Sequence, residues 1–237
     1  VYANTHMMPR ETFYTNPIWS HFKDWRAVLS PFFEKARFML GSGKFNREYE
    51  EDRVLQEVAR DMGRGDSYGR VDYAGVYLGD TKKAVDPYFN GIGPLRTGCT
   101  ECAGCMVGCR HGAKNTLDKN YLWFAENLFG ATVSAETRVT KIESTGEGYR
   151  VHVESSTGWW RKNRRVITTT GLVMSGGVLG TLDLLLKQKY VDRTLTRLSD
   201  KLGENLLTNS EMLSGVVAAD RKLNHGIAIS SVFNPDD

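Results

Sequence analysis

The chain has 237 residues, of which 41% are hydrophobic and 25% charged, the composition of an ordinary globular protein with room for one large domain or two small ones. A formal net charge of +3, spread evenly, excludes the footprint of a nucleic-acid-binding protein. The most apolar run, residues 171 to 186, is too short to span a bilayer and contains Asp183, so no transmembrane segment is expected.

Taken in order, residues 16 to 62 read as two helices. Trp25, Val28, Leu29, Phe32, Phe33, Ala36, Met39 and Leu40 recur at helical spacing, and the glycines at 41 and 43 end that run. Their period predicts a core-facing side. Val54, Leu55, Val58, Ala59 and Met62 form a second amphipathic run that stops at Gly63. Residues 63 to 98 are rich in Gly, Asp and Tyr and predict loop with one short strand at 74 to 78. The glycines at 63, 65 and 69 follow a helix rather than a strand, so they are no dinucleotide fingerprint.

After the cysteines, residues 116 to 129 predict a helix closed by Gly130. Strands are expected at 131 to 133, 138 to 144, 149 to 154 and 165 to 175, with a tight turn at Gly146-Glu147-Gly148 making the middle two a hairpin. A helix is expected from Thr181, and a last strand at 226 to 233. The basic run at 161 to 165 reads as a solvated strand end.

All four cysteines, Cys99, Cys102, Cys105 and Cys109, fall within eleven residues in a C-x2-C-x2-C-x3-C pattern. Such spacing lets a loop curl its thiols around one centre. Three readings stay open: a zinc site, an iron–sulfur cluster, or a packed loop of reduced thiols with occasional disulfides. The spacing equals the ferredoxin run, but Arg110 stands where that run has proline. Four clustered thiols fit a reducing compartment, and the N-terminal residues lack a secretory pattern, so a cytoplasmic location is expected.

The five histidines share no ligand spacing, and no nucleophile elbow, zincin helix or phosphate-binding Walker loop is present. Lys114, Lys119, Glu126 and Glu211 are polar groups that spacing alone does not separate from a solvated helix face. The β-branched run from Arg165 leads to Ser175, Gly176, Gly177, Gly180 and Thr181 and then to an apolar helix. A strand, a glycine turn and a helix N-terminus can present bare backbone amides to a phosphate or a flavin edge, although many such turns serve packing only.

Several segments together resemble the GMC-type FAD-dependent oxidoreductases, in the bacterial branch that includes cholesterol oxidase. These are residues 86 to 94, 98 to 110, the Gly-Ala-Lys-Asn-Thr-Leu-Asp-Lys-Asn-Tyr-Leu run at 112 to 122, and residues 137 to 142, 148 to 153, 177 to 185 and 202 to 211. The resemblance implies an α/β fold, with part of a doubly wound FAD-binding domain and part of an antiparallel-sheet substrate domain. It implies that residues 1 to 97 belong to the substrate domain or its cap, 98 to 187 to the FAD-binding domain, and 188 to 237 to the start of the substrate-domain sheet.

The strand around Val139 would pass the adenine, the 174 to 181 turn would face the FAD, and residues 208 to 210, with Asn209, would begin the crossing back. The family's N-terminal G-x-G-x-x-G unit and its C-terminal His/Asn segment have no counterpart here, so the chain reads as an internal fragment that needs the remainder of its parent, and no catalytic residue is assigned. The function implied is oxidation of a small hydrophobic alcohol, such as a sterol, by hydride transfer to FAD. The competing function is a cysteine-cluster module binding zinc or an iron–sulfur cluster.

Overall fold

The structure is a computed structural model in which residues 5–206, 212 and 214–235 are described. Its contacts divide it into two compact units, residues 1–132 with 217–237, and residues 133–216.

The first unit holds α1 (Glu11–Tyr14), α2 (Trp25–Met39), β1 (Gly43–Lys44), α3 (Glu50–Asp61), β2 (Gly69–Arg70), β3 (Tyr73–Ala74), β4 (Lys83–Ala84), β5 (Arg96–Thr97) and α4 (Tyr121–Phe129), and ends with the strand Ser231–Val232. Its strands pair as three two-stranded antiparallel ribbons, β1 with β3, β4 with β5, and β2 with Ser231–Val232. Their brevity is why sequence periodicity misses most of them: two residues carry no period. Phe45, Tyr49, Ala74, Val76, Cys105 and Ile227 form the core, each under a tenth exposed.

The two long helices end at the glycines that the sequence marks, but α2 starts only at Trp25 and not near residue 16. The Asp24 carboxylate accepts from the Ala27 N–H at 3.0 Å and caps α2. Gly41 follows the helix with φ +57°, and a Cβ there would sit 2.7 Å from Asn115 Nδ2. The apolar side of α2 is not the core expected of it. None of its residues is buried, and Phe32 is 65% exposed. Gly63, at φ +70°, follows α3. The helix expected at 116 to 129 is broken into a 3-10 turn, Leu117–Lys119, and α4, which Gly130 closes in the left-handed conformation.

Asp52, in the first turn of α3, is 1% exposed. One of its oxygens accepts from the Tyr49 N–H at 2.8 Å, and the other from the hydroxyls of Ser230 and Ser231. A single carboxylate therefore starts the helix and fastens the last strand to it. The same first turn carries Glu50 and Glu51, favourable beside the positive end of the helix dipole.

The second unit is a three-stranded antiparallel sheet, β6 (Thr137–Thr145), β7 (Gly148–Ser155) and β8 (Arg165–Thr169), followed by α5 (Val178–Leu186). The two-residue turn of the β6–β7 hairpin is Gly146-Glu147, with Thr145 paired to Gly148. A Cβ on Gly148 would lie 2.2 Å from the Thr169 carbonyl, so only glycine lets β8 approach. The pairing steps from Val139–Val153 to Lys141–His152, leaving Thr140 as a bulge.

Ile142, Val151 and Val153 are buried on one face. On the other, Glu143 takes hydrogen bonds from Lys141 Nζ at 2.6 Å and His152 Nε2 at 3.0 Å.

Four strand expectations shift, the first being the strand expected at 74 to 78, which is reduced to β3 and a single bridge at Val76. Residues 131 to 133 form no strand. The strand expected at 165 to 175 stops at Thr169, because its partner β7 begins at Gly148 and offers nothing further to pair with. The strand expected at 226 to 233 is reduced to Ser231–Val232 and a single bridge at Gly226.

Past Leu186, α5 widens into a π-turn, Lys187–Val191, with the Asp192 N–H bonded to the Lys187 carbonyl at 2.9 Å. Gln188, 0% exposed, fixes this turn to the sheet. Its Oε1 accepts from the Ile142 N–H at 3.0 Å and from Thr194 Oγ1 at 2.9 Å, while its Nε2 donates to Asp192. Among the described residues no helix is long and apolar enough to cross a membrane.

Two expectations can be measured on the full-length protein. Asp52→Ala strands three donors, two of them in the interior, and should destabilise the first unit by about 3 kcal/mol in urea unfolding. Ser231→Ala, which removes one half-buried donor, should cost about 1 kcal/mol or less.

The second expectation concerns acid. Hydrogen bonding from Lys141, then from His152, holds the Glu143 carboxyl down at about 2 against an ordinary value of 4.5. A depressed carboxyl contributes stability above its unfolded value and loses it as pH falls through the folded one. Stability should therefore fall between pH 4.5 and about 2 in the natural protein, and this component should be missing in Glu143→Gln. Superimposable acid-unfolding curves would show that the cluster contributes nothing.

Candidate functional site

The glycine turn lies in the second unit. Beyond Thr169 the chain leaves the sheet, the Thr169 hydroxyl bonding the Gly171 carbonyl at 2.8 Å. It then runs without regular structure to Gly177, which precedes α5 with φ +76° and ψ 167°. No side chain caps this helix. A Cβ at Gly177 or Gly180 would meet nothing within 4 Å, and one at Gly176 would first meet Thr181 Oγ1 at 3.5 Å.

Ser175, Gly176, Gly177 and Gly180 are exposed and Thr181 is half-buried. Val173 and Leu179 beside them are 86% and 76% exposed. The helix therefore begins with bare amides in an apolar surround, where an anionic or flat ligand can reach the main chain. Val139 belongs to the same unit, on β6 next to the Thr140 bulge, paired with Val153. Asn209 lies outside the described residues.

The cysteine loop lies in the first unit, between β5 and α4. Both ends hang on one residue: the Tyr77 N–H donates to the Ala113 carbonyl at 2.8 Å, and the Tyr77 carbonyl accepts from the Cys99 N–H at 2.7 Å. Its middle is tied to Gly226, whose carbonyl accepts from Ala103 at 2.9 Å and whose N–H donates to Glu101 at 2.7 Å. Glu101 and Ala103 adopt positive φ, 56° and 52°, unusual for residues with a side chain. Those two kinks turn the loop inward, and all four cysteines line one cavity with Val76 and Gly226.

The sulfurs are not equivalent. Cys105 is part of the core, Cys99 and Cys109 are half-buried, and Cys102 is exposed. Burial, and then the neighbouring sulfurs of Cys105, Cys109 and Cys102, push the Cys99 thiol up to about 11. Burial also raises Cys105, partly offset by the Ala228 N–H bonded to it. Cys109 moves the other way. Burial pushes it up, but the N–H groups of Lys114, His111, Ala113 and Gly112 together outweigh that and lower it. The Glu101 N–H reaches Cys99 Sγ at 3.4 Å.

All four are free thiols, so no disulfide forms. Among the described residues no three His, Cys, Asp or Glu side chains are arranged to hold a metal ion. This corrects the expectation of a zinc site or an iron–sulfur cluster on Cys99, Cys102, Cys105 and Cys109: the four thiols line a cavity with room for about one water, and the packed loop of reduced thiols is the reading that remains.

Of the other polar candidates, Lys114 is buried with its ammonium on the Cys105 carbonyl at 3.0 Å, and Lys119 pairs with Asp118. Two contributors were not visible in the sequence. Tyr49, whose hydroxyl is buried without a hydrogen-bond partner, is raised to about 12, chiefly by burial, with Cys99 among the groups adding to it. Gln188 is the other, since a glutamine in a polar Lys-Gln-Lys run carries no signal of burial.

No protein-family model and no solved structure matches the chain. Among curated proteins it is 43% identical, over 99% of its length, to a cholesterol oxidase of Mycobacterium tuberculosis, in both strain CDC 1551 and strain H37Rv. It is 35% identical, over 97% of its length, to a cholesterol oxidase of Acinetobacter baumannii. It spans about two fifths of these relatives, 42% and 43% of their lengths. Over nearly its whole length, therefore, the chain is similar to a continuous part of proteins named cholesterol oxidase.

Proposed function

We propose that this chain is part of a GMC-type flavin-dependent oxidoreductase that oxidises a small hydrophobic alcohol, with a sterol hydroxyl as the substrate group. The observation that carries this reading is the open glycine turn ahead of α5, in a chain 43% identical to a protein named for oxidising cholesterol.

The residues present fit an FAD. Uncapped amides at the start of α5 and the hydroxyls of Ser175 and Thr181 offer donors to a phosphate or to a ring edge, and three glycines leave the approach free of side chains. Val139, through its main chain, and Asn209 complete the set on the strength of the resemblance. When bound, FAD supplies the hydride acceptor.

The chain's own part is to hold and orient the cofactor and to keep water from it with apolar residues such as Val173 and Leu179. Oxidising an alcohol also releases the hydroxyl proton, which a base must take. No residue of this chain is assigned that role. Residues 98 to 187 fall in the FAD-binding domain and the flanking segments in the substrate domain. Four unbonded thiols suit a cytoplasmic location.

Gly180 provides the test, because a side chain there meets nothing within the chain. In the full-length protein, Gly180→Val should lower FAD occupancy several-fold, and cholesterol oxidation with it, while the far-ultraviolet dichroism stays the same. Gly180→Ala should improve the helix by up to about 1 kcal/mol and still lower occupancy. Unchanged occupancy in both variants would mean that the turn holds no flavin. Retained occupancy with no turnover of cholesterol, but turnover of another hydrophobic alcohol, would reject the sterol alone.

A further inference from the structure

We propose that the loop joining β7 to β8 docks on an anionic lipid surface, with Trp159 and Trp160 entering the interface and Arg161, Lys162, Arg164 and Arg165 meeting the headgroups. This uses only residues of the second unit and does not rest on the flavin reading.

Hydrogen bonds fix the loop at its base. The Ser155 N–H donates to the Lys162 carbonyl at 2.6 Å, and the Ser155 hydroxyl accepts from the Gly158 N–H at 2.9 Å. A second tie runs to Glu136, just ahead of β6. Its carbonyl accepts from the Ser156 N–H at 2.8 Å and its carboxylate from the Thr157 hydroxyl at 3.0 Å. A Cβ on Gly158 would sit 2.4 Å from the Arg161 carbonyl, so only glycine lets the chain fold back at this point. Asn163, at φ +44°, then turns the chain into β8.

The fixed turn holds two indoles in the open. Both rings are 88% exposed, and they meet edge to face at 6.2 Å. The other three tryptophans, Trp19, Trp25 and Trp123, are half-buried. Trp19 and Trp25 also give their indole N–H to carbonyls of the chain, at 2.7 and 2.8 Å. Two bare indoles side by side leave apolar area in water, and the ties at the base of the loop prevent it from folding away. Indole suits a bilayer interface, because its apolar body enters the acyl boundary while its N–H stays among the headgroups.

Charge selects the kind of surface. Four cations fall within the five residues that directly follow the rings. Arg161, Arg164 and Arg165 are exposed and Lys162 is half-buried. Among the described residues only Arg164 of these four meets a carboxylate, that of Glu154 at 3.3 Å, and its side chain remains 81% exposed. Long basic side chains lay their methylenes along the apolar boundary and keep the charge at the phosphates. A polybasic segment beside exposed aromatics is therefore complementary to an anionic leaflet and not to a neutral one. A nucleic acid would attract the same cations, but its bases stack on ring faces set along a groove. Here the rings stand at 82° to each other on a turn, an arrangement for insertion.

The test mixes full-length protein with vesicles of phosphatidylcholine containing about a third phosphatidylserine, and separately with phosphatidylcholine alone, and reads binding by cosedimentation. Binding to the anionic vesicles is expected, about tenfold or more tighter than to the neutral ones, and weaker when salt is raised to about 0.5 M. Trp159→Ala with Trp160→Ala should keep the far-ultraviolet dichroism and weaken binding about tenfold or more. Arg161→Gln with Arg165→Gln should weaken it by a similar factor and flatten the salt dependence. The difference in tryptophan emission between natural protein and the double alanine variant isolates the two rings. It should be red without vesicles and shift to the blue on the anionic ones.

Natural protein that does not sediment with anionic vesicles overturns the proposal. So does equal binding by natural protein and the alanine variant, or equal binding to both kinds of vesicle. Blue emission without vesicles overturns it as well, because the rest of the parent chain then covers the rings. Tighter binding to a single-stranded oligonucleotide than to the anionic vesicles, lost in the glutamine variant, gives the loop to nucleic acid instead. If the alanine variant misfolds, the glutamine variant decides: unchanged binding to anionic vesicles rejects the lipid surface.

Discussion

Both ends of the cysteine loop rest on the main chain of Tyr77, and most of the first unit's organisation follows from that. One side of this residue binds Ala113 and the other binds Cys99, so fifteen residues of chain must close into a loop above it. Asn115 continues the same pairing through the Gly75 carbonyl, and its side chain reaches the Gly41 carbonyl at the end of α2. Cys105 then drops into the core beside Val76 and Ile227. The run from Gly112 to Asn115 is thus structural before it is anything else: it closes the loop, supplies amides to Cys109 and locks the helix end.

What could be read in the sequence was whatever repeats or punctuates. The spacing of Val28, Leu29 and Phe32 marked α2, Gly63 marked the end of α3, and Gly146-Glu147 marked the hairpin, because each is a local rule that needs no partner. What could not be read was whatever a partner decides. The strand after Arg165 is apolar as far as Met174, yet it stops at Thr169 because β7 has ended. The apolar period of α2 predicts burial, but period states which side is apolar and not whether anything covers it. The cysteine spacing announced one centre. The inward amides did not show, because they depend on positive φ at Glu101 and Ala103, residues that rarely adopt it.

The two candidate sites illustrate opposite ways of making a backbone chemically useful. At Gly177 the means is omission: no side chain, no cap, and amides left open at the start of a helix. Around Cys109 the means is convergence, with successive N–H groups of one tight run turned toward one sulfur. The first can accept ligands of several shapes, and so its resemblance to flavoenzymes is needed to choose among them. The second serves one side chain of the chain itself, lowering the Cys109 thiol against the effect of its burial.

The π-turn at Lys187–Val191 has a consequence for how this segment tolerates insertion and deletion. It contains one residue more than an α-helix would use over the same rise. Deleting any one residue there would restore the α-helical period and remove the wide turn that carries Gln188. Gln188 would swing away from the Ile142 amide, and the edge of β6 would lose its fastening. Length in this stretch is therefore held as tightly as residue identity is in a core, although its neighbours Lys187 and Tyr190 are exposed and chemically ordinary.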